Sequence, residues 1–427
     1  MDERFIQYAW KLLLFDQSHL KTTLDEPITI YQQGYQNYDS GPDFSNARIR
    51  IGNVEWVGNV EIHIKSSDWK RHNHQLDPAY ENVILHVVYE HDSEIRRPDN
   101  SQIPTLTLKG RLNPNQFGKY QSLTSNLFEI PCHEQFESIS SLIVKSMINK
   151  TAIERIESKS ADFVRSLANK SQKDWEKVLY VMIARAFGMK TNADSFETLA
   201  SSLPLNLLLR HQAQPLQVNA LLFGMGGFLD STKAAEAYQK ELQTEFEFLK
   251  HKYQLTPILS RHHWKFSKIR PANFPTVRIS QFAALLCHQP NLFSRLQSTR
   301  SFRELTDILI NPVQKYWSNH FDFGTESHKS ISLGKDAIKS ILINAIIPVM
   351  VTFGKETGDQ QIVDKAMDWL QDLKPENNKI TRKWESLNIR AQSALESQGL
   401  IQLFNTYCLK RRCLDCQIGS NLLQKND

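Results

Sequence analysis

The sequence predicts an α+β protein, with a mixed β-sheet and a flanking helix at the N-terminus and a mostly α-helical part after it. A contrast in periodicity carries this reading. Between residues 28 and 108, apolar residues alternate with polar ones or run briefly between turn residues, which is the pattern of strands. From about residue 138 the strand signals thin out and apolar residues recur at helical spacing. At 427 residues with 41% hydrophobic side chains, the chain is long enough for two or three domains and a sizeable core.

Residues 1 to about 15 read as an amphipathic helix covering one sheet face, because Phe5, Tyr8, Ala9 and Leu12 fall near helical spacing. Ile28-Thr29-Ile30-Tyr31 is a short strand, and the polar stretch from Gly34 to Gly41, with Asn37, Asp39 and Ser40, is a turn region. Arg48-Ile49-Arg50-Ile51 and Val60-Glu61-Ile62-His63-Ile64-Lys65 alternate on either side of a turn at Asn53 and pair as a hairpin. Asn82 to Tyr89 is largely apolar, as a central strand is, and Thr105-Leu106-Thr107-Leu108 is a last short strand before the β-rich part closes near Pro131. Among the later helices, Ser171 caps one that runs through Trp175, Val178, Leu179 and Met182 to Gly188. Others are expected over 234–249, 276–287, 335–353 and 361–373. The stretch 337–353 is interrupted by Lys339, Asn344 and Pro348, so a buried helix is expected there rather than a membrane span. Gly224-Met225-Gly226-Gly227 lacks the strand context and the Gly-Lys-Ser/Thr ending of a phosphate loop and reads as close helix packing or a chain reversal.

The chemistry concentrates in the hairpin. Strand alternation places Glu61, His63 and Lys65 on one face, opposite Val60, Ile62 and Ile64. Asp43 follows the Gly41-Pro42 turn just before the first hairpin strand, so two carboxylates from neighbouring strands converge. That pairing suits Mg²⁺ or Mn²⁺, with Lys65 or His63 placed to orient or deprotonate a water. After the second strand, His72, His74 and Asp77 form His-x-His-x-x-Asp, a ligand set that zinc and manganese accept and that a polar loop also explains. His86 is either a satisfied core histidine or a further imidazole aimed at the same point.

The motifs GPDF (41–44), GNVEIH (58–63), SSDW (66–69), His-x-His-x-x-Asp (72–77) and VILHVV (83–88) give the chain a specific resemblance, over nearly its whole length, to a bacterial family known only as a domain of unknown function. Over roughly the first quarter the residues also resemble the PD-(D/E)xK nuclease superfamily, with an acidic residue at a strand start and Glu-x-Lys on the next strand. Asp43 and Glu61 match the first two positions; His63 stands where the lysine is expected, and Lys65 is one same-face step beyond. Glu3 matches the glutamate that the superfamily carries on the preceding helix. This resemblance implies a restriction-endonuclease-like fold and Mg- or Mn-dependent hydrolysis of nucleic acid. His63 at the lysine position also suits a non-catalytic nucleic-acid-binding or scaffolding protein on that fold, and the histidines suit a metal hydrolase of another class.

Five cysteines in a chain with no recognisable export signal point away from a disulfide framework and to a cytoplasmic protein. Cys408, Cys413 and Cys416 nevertheless cluster, and Cys132, at the junction where the β-rich part ends, is the natural fourth ligand for zinc or a 4Fe–4S cluster. Cys287 sits in an apolar run and reads as core. One distant cysteine with a C-terminal triplet also resembles the iron–sulfur staple of certain nucleases in the superfamily named above, where it ties the chain end to the core. The net charge of +5 is too small to mark a nucleic-acid binder by itself. Residues 248–303, however, hold no Asp or Glu, and there Trp264, Lys265, Arg270 and Arg278 form the best nucleic-acid contact candidate, on a loop held extended by Pro271 and Pro275. The expected organisation is a nuclease-like α/β domain over 1–131, a helical domain over 132–400 and a cysteine-bearing tail over 401–427 that is free to fold back. Nucleic acid is the expected partner, a membrane is not, and oligomeric state is not legible.

Overall fold

A computed structural model describes residues 1–229, 236–328 and 331–425, and of residues 161 and 162 the backbone alone. The chain forms two compact units, residues 1–147 with 403–427 and residues 148–402. The expected boundary at residue 131 is therefore moved, and the tail is not a separate element. It belongs to the first unit because its terminal helix Gln417–Gln424 packs on the helix Pro114–Ser125, and Lys119 Nζ donates to the Lys425 carbonyl at 2.9 Å. Pro114–Ser125 also lies within the stretch read as β-rich; the last strand of the sheet ends at Thr107.

The first unit starts with α1 (Glu3–Lys11), shorter than expected because Leu13 adopts a positive φ of 52°, which ends the helix. Phe5, Ile6, Tyr8, Ala9 and Trp10 bury one face of α1, and the Trp10 indole donates to the Gln33 carbonyl at 3.0 Å. The sheet contains β1 (Ile28–Gln32), β2 (Tyr35–Gln36), β3 (Phe44–Ile51), β4 (Val54–Lys65), β5 (Val83–Glu90) and β6 (Thr105–Thr107). Its order is β1-β3-β4-β5-β6, with β2 paired to β3. The expected hairpin is present as antiparallel β3 and β4, with Ile51 opposite Val54 around Gly52-Asn53. β5 is central: it runs parallel to β4, with Glu61 beside His86, and parallel to β6. The sheet is mixed and the protein is α+β.

One irregularity in this sheet positions the site. Between Phe44 and Ala47 the β3–β4 register shifts, with Asn46 at φ 56°, a bulge that re-aims the start of β3. Phe44 stays opposite Val60, which places Asp43 beside Glu61. Gly41 supplies the turn before it with φ 102°, a conformation closed to most side chains.

The second unit is helical around one large apolar core. Trp175–Phe187, Pro215–Met225, Pro275–His288 and the run Lys335–Thr357 contribute most of the buried side chains. Lys335–Thr357 has the length and composition to cross a membrane, and 78% of its apolar window is buried against the rest of the unit. Two expectations need correction or qualification here, and a third agrees with the structure. The helix at 175 is capped by Asp174, which accepts from the Lys177 N–H at 3.1 Å, and not by Ser171; Gln172 and Lys173 take positive φ and reverse the chain in between. The helix expected from Ala234 runs over Ala237–Tyr253, and Ala234 itself lies outside the described residues. Gly224 and Gly227 serve packing and reversal: a Cβ on Gly224 would strike the Phe246 ring at 2.3 Å, and Gly227 has φ 72° after the helix ends.

Candidate metal centre

Asp43 and Glu61 clasp each other through the backbone. The Asp43 N–H donates to Glu61 Oε2 at 3.0 Å, and the Ile62 N–H donates to Asp43 Oδ2 at 3.0 Å. Gln7 on α1 donates to Asp43 Oδ1 at 2.9 Å. Gln7 was not singled out from the sequence; it lies four residues after Glu3, so both share a helix face, and that spacing was the available signal.

Burial, followed by the charge of Glu61, pushes the Asp43 carboxyl up to about 7. Burial, aided by Glu3, pushes Glu61 up to about 8. Glu3 is raised too, by burial and then by Asp43. No lysine or arginine figures among the groups that shift Asp43 or Glu61. Lys65 is exposed at the end of β4, with Asp92 as a charged neighbour, so the expected catalytic lysine does not face the carboxylates.

Histidines stand in its place. One ring nitrogen each from His63, His72 and His74 lies within 4.8 Å of the others. His63 Nε2 is 3.1 Å from His72 Nδ1 and 3.5 Å from Glu61 Oε1, and His74 Nε2 is 3.3 Å from the same oxygen. His74 Nε2 is buried yet makes no hydrogen bond among the described residues. Burial drives His63 down to about 2 and His86 to about 3, so both rings are neutral with lone pairs available. His86 bonds His63 Nδ1 at 2.9 Å and orients that ring from behind, as an outer-shell partner does. Asp77 points elsewhere, because its carboxylate caps the Ala79 N–H at 2.9 Å. The three histidines that could hold a metal ion, with His72 the exposed one, thus have Glu61 against two of their rings, Asp43 bonded to Glu61 through the backbone, and Glu3 within electrostatic reach of Asp43 and His72.

The loop after β4 is built to hold these rings. Asp68, buried at the start of α2 (Asp68–Arg71), accepts from the Lys65 N–H at 3.0 Å, and Ser66 Oγ accepts from the N–H groups of Asp92 and Ser93. Trp69 packs edge-on against His74 and His86, with centroids 5.4 and 5.3 Å away, and Tyr80 stacks on His74 at 3.8 Å. Trp69→Ala is expected to cost about 3 kcal/mol of stability and to weaken metal affinity roughly tenfold, measured by denaturant unfolding and metal titration. Full affinity in a destabilised variant would show that the loop holds its rings without Trp69.

Beside this cluster lies a basic pocket of about 270 Å³, lined by Arg4, Gln7, Lys11, Tyr38, Tyr120, Arg411 and Arg412 among others. Gln7 joins the two, since it both lines the pocket and holds Asp43. Sequence reasoning missed this basic wall because its cations come from opposite ends of the chain. The segment it favoured lies in the second unit and is corrected in part. Trp264 is buried, with its indole donating to the Gly226 carbonyl at 2.8 Å. Arg278 is also buried, on the first turn of Pro275–His288 and not on the extended loop, and bonds Gln281 at 2.8 Å. Both pack inside because aromatic and long side chains there fill the helical core. Lys265 and Arg270 remain exposed.

The fold is α+β, and its first unit carries a partly buried group of carboxylates and imidazoles whose three histidines could hold a metal ion. The chain belongs to the family described as "Protein of unknown function (DUF2851)", whose model matches residues 3–379. No curated protein and no solved structure matches it.

Proposed function

We propose that the protein is a metal-dependent phosphodiester hydrolase acting on nucleic acid, with its cation held by Glu61 and the His63, His72 and His74 rings. The observation that carries this reading is the convergence of the Asp43 and Glu61 carboxyl groups, on which no lysine or arginine acts, with ring nitrogens of His63, His72 and His74, a donor set that a divalent cation can take up. A mixed oxygen and nitrogen donor set favours Mn²⁺ over Mg²⁺, because magnesium prefers oxygen ligands and retained waters. When bound, such an ion polarises a phosphoryl oxygen and acidifies a water. Asp43, raised to about 7, accepts a proton in the working range, whereas His63, held down to about 2, acts as ligand and not as acid. The neighbouring pocket with Arg4, Lys11 and Arg412 and the rings of Tyr38 and Tyr120 supports a substrate that carries phosphates and stacking surfaces.

The test is cleavage of single- and double-stranded DNA and RNA with Mn²⁺, Mg²⁺ or Zn²⁺ supplied in turn. Manganese-supported cleavage that chelator abolishes is expected. Metal binding with no cleavage of any substrate would instead favour a binding protein on this fold. Within an active enzyme, Arg4→Gln with Lys11→Gln is expected to raise KM about tenfold and to reduce the salt dependence of binding by roughly two counterions. An unchanged salt slope would exclude the pocket as the phosphate seat.

A further inference from the structure

We infer a second metal centre in the first unit, an iron–sulfur cluster held by Cys132, Cys408, Cys413 and Cys416, which fastens the Arg411-Arg412 loop to the body of that unit. The inference does not depend on the histidine centre.

All four thiols are buried, and none of them is in a disulfide. The fold brings Cys132 to the other three from more than half the chain length away. Cys132, Cys408, Cys413 and Cys416 lie within electrostatic reach of one another. Cys408, Cys413 and Cys416 are spaced C-x4-C-x2-C, a ligand run found in iron–sulfur proteins, with the fourth cysteine distant.

The surrounding backbone is arranged about this point. Asn126 donates to the Pro131 carbonyl at 2.8 Å, next to Cys132, while its own carbonyl accepts from Arg411 Nη2 at 2.9 Å, so one residue ties both cysteine segments. The Arg411 and Cys416 N–H groups return to the carbonyls of Cys408 and Cys413 at 3.1 and 3.4 Å. The terminal helix closes tightly over this turn: a Cβ on Gly419 would meet the Cys413 carbonyl oxygen at 2.2 Å. Arg411 is the cation beside Cys408 and Cys413, and its Nη1 is buried without a hydrogen-bond partner among the described residues. An N–H left over beside thiolates is what a cluster's sulfurs accept. The same loop lines the basic pocket with Arg411 and Arg412, so the cluster holds that wall in place.

The test is iron, zinc and acid-labile sulfide analysis with visible absorption on full-length protein purified without oxygen. About two to four iron ions with matching sulfide per chain are expected, lost in Cys132→Ser and Cys413→Ser and retained in Cys287→Ser and Glu61→Gln. Zinc alone, or no metal, in wild type overturns the proposal whether or not the serine variants fold. So does iron retained in both variants. Trypsin supplies a second readout at Lys410, Arg411 and Arg412: cutting is expected to quicken about tenfold when the cluster is removed by oxidation. An unchanged rate overturns the fastening role.

Discussion

Glu61→Gln is expected to lower manganese-supported cleavage on the order of a thousandfold, about 4 kcal/mol of transition-state stabilisation, while the protein stays folded. The geometry gives the reason. Glutamine keeps an oxygen for the Asp43 N–H at the Glu61 Oε2 position, so the β3–β4 clasp survives. What it lacks is the charge beside His63 Nε2 and His74 Nε2, where the cation is proposed to sit. The variant should therefore bind Mn²⁺ much more weakly in a titration even where activity is below detection. Cleavage at the wild-type rate in Glu61→Gln would sink the hydrolase reading.

The metal-free protein should be most stable near pH 5 to 6.5 and lose on the order of 2 kcal/mol on going to pH 8.5. The signs follow from the folded-state shifts. Asp43 and Glu61 rise from 3.8 and 4.5 to about 7 and about 8, so between about pH 4 and pH 8 the folded state holds more protons than the unfolded one. Stability contributed by those protons falls as pH rises through that window. His63 and His86 fall from 6.5 to about 2 and about 3, so their neutral burial costs stability below pH 6.5 and nothing above it. The two effects oppose each other between about pH 4.5 and 6.5, and above that the carboxylates act alone. Mn²⁺ should restore the loss at pH 8.5, because the ion replaces the protons. Asp43→Asn should flatten part of the alkaline decline and also weaken the rescue by metal. A melting temperature of the metal-free protein that is the same at pH 6 and pH 8.5 would contradict the buried carboxylate pair.

Much of the candidate site was legible because strand alternation is local. Knowing that β4 has period two was enough to put Glu61 and His63 on one face, and the Gly41-Pro42 turn was enough to bring Asp43 near them. Lys65 obeys the same alternation yet stays out of the site, because two further residues of strand carry it to the exposed end of β4. Asp77 and His74 looked equivalent as ligands in one short motif. A capping hydrogen bond turned the first away, and the edge of Trp69 and the face of Tyr80 turned the second inward.

By itself, the sequence determined the α+β class, the order and pairing of the hairpin strands, the identity of the acidic and imidazole groups, and the grouping of three cysteines. Those follow from periodicity, turn chemistry and residue type, which act over a few positions. Only the tertiary structure decided that the tail belongs with the first unit, that Cys132 comes within electrostatic reach of Cys408, Cys413 and Cys416, that Gln7 holds Asp43, and that Arg4 and Lys11 share a pocket with Arg411 and Arg412. It also decided that Trp264 and Arg278 are core and not surface. Such outcomes depend on which faces pack together across hundreds of residues, and burial is settled by the sum of those contacts rather than by any local pattern.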